Sequence, residues 1–188
     1  LGLFTDPECP VGTLESEVLL GRKVCSLSGV LETDLTLVAG NYYKLDGKVA
    51  VGIDMGSDGT KTGGASATLT IEPGVTVFGE SGNDYLVVTR GSKLNAVGTS
   101  SAPIIMTGRQ DILGEADIVN TRGLWGGLVL LGKSPINKCS YSTAGTSTTA
   151  GVRVDPCEKD VEGSVGDTMG GEIPTDSSGT LKYVRVQY

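Results

Sequence analysis

The stretch Leu69 to Gly98, LTIEPGVTVFGESGNDYLVVTRGSKLNAVG, carries one short pattern twice. Ile71, Gly74 and Val77 are followed seventeen residues later by Val88, Gly91 and Leu94. Each copy reads apolar strand, corner, apolar strand, with Glu72-Pro73-Gly74 at the first corner and Thr89-Arg90-Gly91 at the second. A period this short is too small for a folded unit. It fits one coil of a solenoid, whose inward side chains are buried only when coil stacks on coil. On that reading Gly74 and Gly91 lie stacked in successive coils.

Composition points the same way. Aromatic residues are 5% of the 188, while glycine supplies 29 positions. The core must therefore be built from small and β-branched side chains between many tight corners, which favours an all-β fold. No run of about 18 apolar residues occurs, so no membrane-spanning helix is expected. The amino end, LGLFTDPECP, lacks the basic start and apolar run of a signal peptide, so any export signal has been removed or was not included. A net charge of −7 with scattered Lys and Arg argues against nucleic acid as a partner.

The four cysteines fall into two local pairs, Cys9 with Cys25 and Cys139 with Cys157. Four cysteines allow three connectivities; local pairing is the expected one, each bridge stabilising by roughly 3 kcal/mol on the chain-entropy model. Disulfides imply an oxidising compartment: the periplasm, a cell surface or the medium.

Residues 1–23, punctuated by Pro7, Pro10 and Gly12, read as an N-terminal cap segment, with Val18, Leu19 and Leu20 laid as a lid across the first coil. Residues 24–188 read as the coil body. Short strands are expected at Val24 to Leu27, Leu35 to Val38, Tyr42 to Leu45 and Val49 to Val51; Asp46-Gly47 leaves a local hairpin open as an alternative. Loop insertions are expected at 53–66, at 108–123 with a short turn of helix, and at 133–178. Between the last two, Leu128 to Leu131 reads as a fully buried strand. The chain closes on one strand, Leu181 to Tyr188, with Val184 and Val186 inward. Its uncovered edge predicts either a longer parent chain or contact with another molecule, such as a second copy.

The runs IEPGVTVFG (71–79), LVVTRGSKLNAVGTSSAPIIMTG (86–108), LWGGLVLLGKSPIN (124–137) and LKYVRVQY (181–188) resemble the right-handed parallel β-helix proteins of bacterial cell surfaces. In particular they resemble a group of large uncharacterised exported proteins, sometimes lipoproteins. The resemblance implies a right-handed parallel β-helix and leaves activity open, because this scaffold carries lyases, hydrolases, adhesins and structural shafts. Pectate-lyase-like relatives use an arginine base beside acidic calcium ligands. Here Arg90 is expected at a corner and Arg185 on a strand, neither with an acidic cluster, so no lyase site is carried over.

The chain has no histidine, which removes Ser-His-Asp and Cys-His arrangements and most zinc and copper sites. Calcium has one candidate: Asp54, Asp58 and Gly59 match positions one, five and six of an EF-hand-like loop, although Gly56 and Ala65 stand where two further ligands belong. The competing reading is a solvated Asp-Gly turn. Paired carboxylates suited to glycoside hydrolysis are sought among Asp111, Glu115 and Asp117, and among Asp155, Glu158, Asp160 and Glu162. Trp125, the single tryptophan, either stacks on a sugar ring or covers a corner of the core, and Tyr42 and Tyr43 admit the same two readings. The expected function is an exported or cell-surface module with a structural, adhesive or self-assembly role and no enzymatic activity. The alternative is a polysaccharide-binding or polysaccharide-cleaving protein.

Overall fold

The computed structural model describes residues 7–117, 119–137, 139 and 156–188. Strand β1 (Leu14–Leu19) turns through Leu20 and Gly21, both at positive φ, into β2 (Arg22–Leu31), and the two pair antiparallel. There follow β3 (Leu35–Leu37), β4 (Tyr42–Val51), β5 (Thr68–Ile71), β6 (Thr76–Gly79), β7 (Tyr85–Val88), β8 (Lys93–Val97) and β9 (Ile104–Gly108). The last elements are α1 (Arg109–Ile112), β10 (Gly127–Leu130), β11 (Lys159–Asp160), β12 (Thr168–Met169), β13 (Gly179–Lys182) and β14 (Val184–Val186).

From β2 onward the pairing among the described residues is parallel, except for the short β11–β12 ladder and the isolated Ile53–Ala65 bridge, and it forms three columns. The first column runs β2-β4-β6-β9-β14. The second joins the later halves of β2 and β4 to β7 and β10, and the third runs β3-β5-β8-β13. Alternate side chains point inward, and in-register pairing places like on like. Cys25, Tyr43, Val77 and Met106 follow one another in the first column, Leu31, Val51 and Val88 in the second, and Leu35, Leu69 and Leu94 in the third. All ten belong to one continuous buried core. The Cys9–Cys25 bridge, with Cα atoms 5.6 Å apart, ties the amino-terminal segment to the start of this core.

Several expectations need correction. The two copies within 69–98 are not stacked coils, because Leu69 pairs with Leu94 and Ile71 with Ala96, a step of 25 residues. The first copy turns from the third column into the first, and the second copy turns from the second into the third. Gly74 (φ 82°) and Gly91 (φ 89°) therefore occupy different corners. Each is the third residue of a turn closed by the N–H of the fourth, Val75 onto the Glu72 carbonyl and Ser92 onto Thr89, which is where a type II turn requires positive φ. The repeat records corner chemistry, not coil length.

Asp46-Gly47 makes no hairpin: Gly47, at φ 72°, bends β4 from the first column into the second, with a shift in register. Val18 and Leu20 are exposed and form no lid; Leu19 alone is buried, against Val24 and Phe78, because β1 lies alongside β2 as an extra strand. The closing run is two strands broken at Tyr183 (φ 50°), with Val184 against the core and Val186 exposed. In β10 the burial is partial, Leu130 being exposed. The insertion at 108–123 does contain the short helix α1, and both expected disulfides are present.

Two predictions follow from the stacking. Leu94→Ala empties a site closed on both sides by neighbouring coils and is expected to cost about 2–5 kcal/mol in urea denaturation. Asp84 joins two coils at a corner: its buried carboxylate accepts the Gly47 N–H at 2.8 Å and the Glu80 and Ser81 N–H groups at 2.9 Å. Burial pushes its pKa up, but these hydrogen bonds outweigh it and hold the carboxyl below its ordinary value. Its contribution is thus present above the ordinary carboxylate pKa and lost as pH falls through the depressed one. Asp84→Asn is expected to cost about 1–3 kcal/mol at pH 7 and to shrink the difference between pH 7 and acid, read from denaturation midpoints.

Candidate functional site

Three successive coils place their second-to-third-column corner at the same position. In the coil of β4 and β5 that corner is the insertion at 53–66; in the coil of β7 and β8 it is the four-residue turn Thr89 to Ser92; in the next it is the insertion between β10 and β13. The short corner is thus flanked by two long ones. Arg90, at its second position, is only 3% exposed.

Its guanidinium is satisfied from both flanks. Nε and Nη2 donate to the two carboxylate oxygens of Asp54 at 2.7 and 2.8 Å, the bidentate arrangement that suits guanidinium and carboxylate. Nη1 donates to Glu158 Oε1 at 2.6 Å and to the Gly170 carbonyl at 2.8 Å. Lys61 adds a contact to Asp54 at 3.2 Å, and the Met55 N–H donates to the Arg90 carbonyl at 3.0 Å. Burial opposes the charge on Arg90, but the hydrogen bonds and charges of Asp54 and Glu158 outweigh it and raise the pKa further above its ordinary value. Asp54 behaves in the mirror sense: burial raises it, Arg90 and Lys61 outweigh burial, and the carboxyl sits below its usual value.

A second set of contacts holds the last insertion against the outer side of the second column. Lys48 Nζ lies 2.6 Å from Asp167 Oδ2, and Ser164 Oγ donates to Asp167 and lies 3.1 Å from the Tyr85 hydroxyl. Between this contact and the first insertion lies a groove of about 380 Å³, with Val30 and Ala50 on its wall, Lys48 and Lys61 as its cations, and Asp54 and Asp167 beside them. A second, more polar cavity of about 550 Å³ adjoins it at Asp54 and Lys61, with Arg90, Glu158, Asp58 and Thr60 among its lining. The groove offers an apolar wall and paired charges, which suits a ligand with both apolar and hydrogen-bonding surface.

The candidates from sequence are distributed differently. Asp58 is engaged locally, accepting the Thr60 N–H and hydroxyl at 2.8 Å each, and Asp54 already carries a guanidinium and an ammonium. A calcium ion at Asp54 would meet both positive charges. No group of three or more Cys, Asp or Glu side chains with metal-holding geometry occurs among the described residues. Trp125 is 5% exposed within the core and its indole N–H donates to the Gln187 carbonyl at 2.9 Å, so it presents no face to a sugar. Tyr43 is fully buried, its hydroxyl donating to the Val38 carbonyl, and Tyr42 carries Arg22 over its ring.

Of the loop carboxylates, Asp111 accepts from Thr107 and Asp117 from Asn120, whereas Glu158 joins the Arg90 clamp; Asp155 lies outside the described residues. Arg185 lies on exposed β14. The expectation that Arg90 stands without acidic neighbours is overturned. Asp54 is 36 positions before it and Glu158 is 68 after, so proximity along the chain gave no hint. Lys48, Tyr85, Ser164 and Asp167 were missed for the same reason.

Columns of parallel strands enclosing one core are the arrangement of the β-helix class. The family model for the pectate-lyase-like beta helix domain matches residues 29–188, and the chain belongs to that family. No curated protein and no solved structure matches it.

Arg90→Met removes the charge shared by two partly buried carboxylates and is expected to cost about 3–5 kcal/mol in urea denaturation. Asp58→Asn, at an exposed turn, leaves the midpoint where it is. An Arg90→Met chain as stable as the parent would show that the clamp holds nothing.

Proposed function

We propose that this protein is an exported or cell-surface module with a structural, adhesive or assembly role and no enzymatic activity. In this reading residues 1–23 cap a right-handed β-helical solenoid formed by 24–188, and the insertions at 53–66, 108–123 and 133–178 provide the contact surface. The observation that carries it is the Arg90 clamp. The buried Arg90 is spent on a carboxylate from each flanking insertion, Asp54 and Glu158, which fits a holding function better than turnover. Two disulfides, and the absence of a helix among the described residues long and apolar enough to cross a membrane, are compatible with an extracellular or periplasmic location.

Binding or cleavage of polysaccharide is the second reading, favoured by the family and by the groove beside Lys48 and Lys61. One set of assays decides between them. The purified chain is incubated with acidic and neutral polysaccharides, with added calcium and with chelator, and new reducing ends and unsaturated products are measured. The expected result is no new ends under any condition. Turnover that disappears when Glu158, Asp160 or Glu162 is neutralised overturns the proposal in favour of cleavage. Light scattering over a wide concentration range tests assembly, and a chain that stays monomeric throughout removes that version.

A further inference from the structure

We propose that residues 161–167, the tip of the last insertion, form a hinged gate over the groove, lifting from Lys48 and Tyr85 while the root of the insertion stays clamped on Arg90. The inference concerns the movement of the groove wall and stands apart from what the groove holds.

What the tip covers gives the first argument. Val30, Ala50, Val87 and Val129 follow one another in register on the outer side of the second column. Val30 is exposed, whereas Ala50 and Val87 are buried. Gly166 and Asp167 line the 380 Å³ groove beside Ala50, and Val161, Gly163 and Ser164 line a cleft of about 190 Å³ beside Val129. The tip is therefore a wall laid along an apolar outer stripe.

How it is fastened gives the second. The root is held by backbone and by buried charge: Gly170 N–H to the Gly132 carbonyl at 2.9 Å, Glu172 N–H to Ser57 at 3.1 Å, Ile173 N–H to Lys133 at 2.9 Å, Glu158 and the Gly170 carbonyl on Arg90, and Cys157 bonded to Cys139. The backbone hydrogen bonds of 161–167 recorded among the described residues, at Val161, Ser164 and Asp167, are internal to the tip. Among the described residues its polar hold on the body is through two side chains, Asp167 on Lys48 and Ser164 on Tyr85. Its one apex hydrophobe, Val165, is 97% exposed and anchors nothing.

The joint between these parts is short. Tip and root are connected by β11 and β12, a ladder of two residue pairs, Lys159 with Met169 and Asp160 with Thr168. So short a ladder resists bending little. Lys48 keeps 33% of its side chain exposed and faces the groove, so an anionic group seated there competes with Asp167 for the same ammonium. Displacement of Asp167 frees the tip and leaves the root in place, since Arg90 is sealed from solvent.

Hydrogen exchange of the full chain, read by mass spectrometry in fragments that separate 159–169 from 170–180, tests the gate. In the parent the tip amides are expected to exchange about tenfold faster than those of Gly170, Glu172 and Ile173. Lys48→Met is expected to speed the tip by a further factor of about ten and to leave the root within about twofold. Asp167→Asn, which keeps the side chain's size, should do the same and serves as the deciding variant if Lys48→Met disturbs the fold. Arg90→Met is expected to speed both regions. The gate is overturned if neither tip variant changes exchange at 159–169, or if Asp167→Asn moves tip and root together.

Discussion

No coil of this chain has an interior of its own. Leu69 is buried because Leu35 lies beneath it and Leu94 above, and the same holds for Tyr43 between Cys25 and Val77. Each such side chain contributes roughly 1.5–3 kcal/mol only while both neighbours stay in register. A slip of one residue in any ladder would turn a whole inward set to solvent. Every other feature answers to that demand. Strands are short because the faces are short, and corners take glycine at positive φ because the chain must turn within a few residues. Long excursions leave only where a corner can be opened without shifting the strands on either side.

The insertions are what that demand leaves unconstrained. A long excursion costs little in loop closure, since the cost grows only with the logarithm of its length, but nothing in the ladder fixes where it lies. Arg90 supplies the fixing. Its Nε and Nη2 bind one insertion and its Nη1 the other, so a single side chain sets the position of two segments that never touch in sequence. Desolvating a guanidinium and two carboxylates offsets much of the Coulombic gain, so the clamp is weak as a source of stability relative to an apolar packing of equal size. Its return is specificity of placement. Lysine would not replace it, because a point charge cannot engage Asp54 in bidentate fashion while directing a separate N–H toward Glu158.

This division explains which features were legible in the sequence. Alternation of apolar residues and glycine corners are local, so the β class, the two disulfides, the short helix at 109–112 and most strand positions were readable. The repeat between Ile71 and Leu94 was misread for an instructive reason. A turn from the third face to the first and a turn from the second to the third pose the same steric problem, and Gly74 and Gly91 solve it alike. Similar corners therefore recur at spacings unrelated to the coil period. The 53–66 insertion lengthens one coil and β10-to-β13 another, so no single period exists to be found. The site was less legible still, because Asp54, Arg90 and Glu158 belong to three different coils and are joined only by stacking.

That stacking also accounts for the identity of the residues at the central corner. A four-residue turn lodged between two insertions receives backbone and side chains from both sides, and Thr89, Arg90 and Ser92 are buried there. Its third position must be glycine twice over: φ is 89°, and a Cβ there would stand 2.6 Å from Cγ of Met55 on the preceding insertion. Its second position faces Asp54 on one flank and Glu158 with the Gly170 carbonyl on the other, four acceptor atoms in all. A neutral side chain would leave two carboxylates repelling one another in a poorly hydrated space, and Arg90 is the residue type that answers all four acceptors. The Thr-Arg-Gly corner is thus determined by the insertions above and below it more than by the strands it connects. Exchange of either insertion for another would have to change this corner as well, and a related chain with a short loop in place of 53–66 has no physical reason to keep an arginine here.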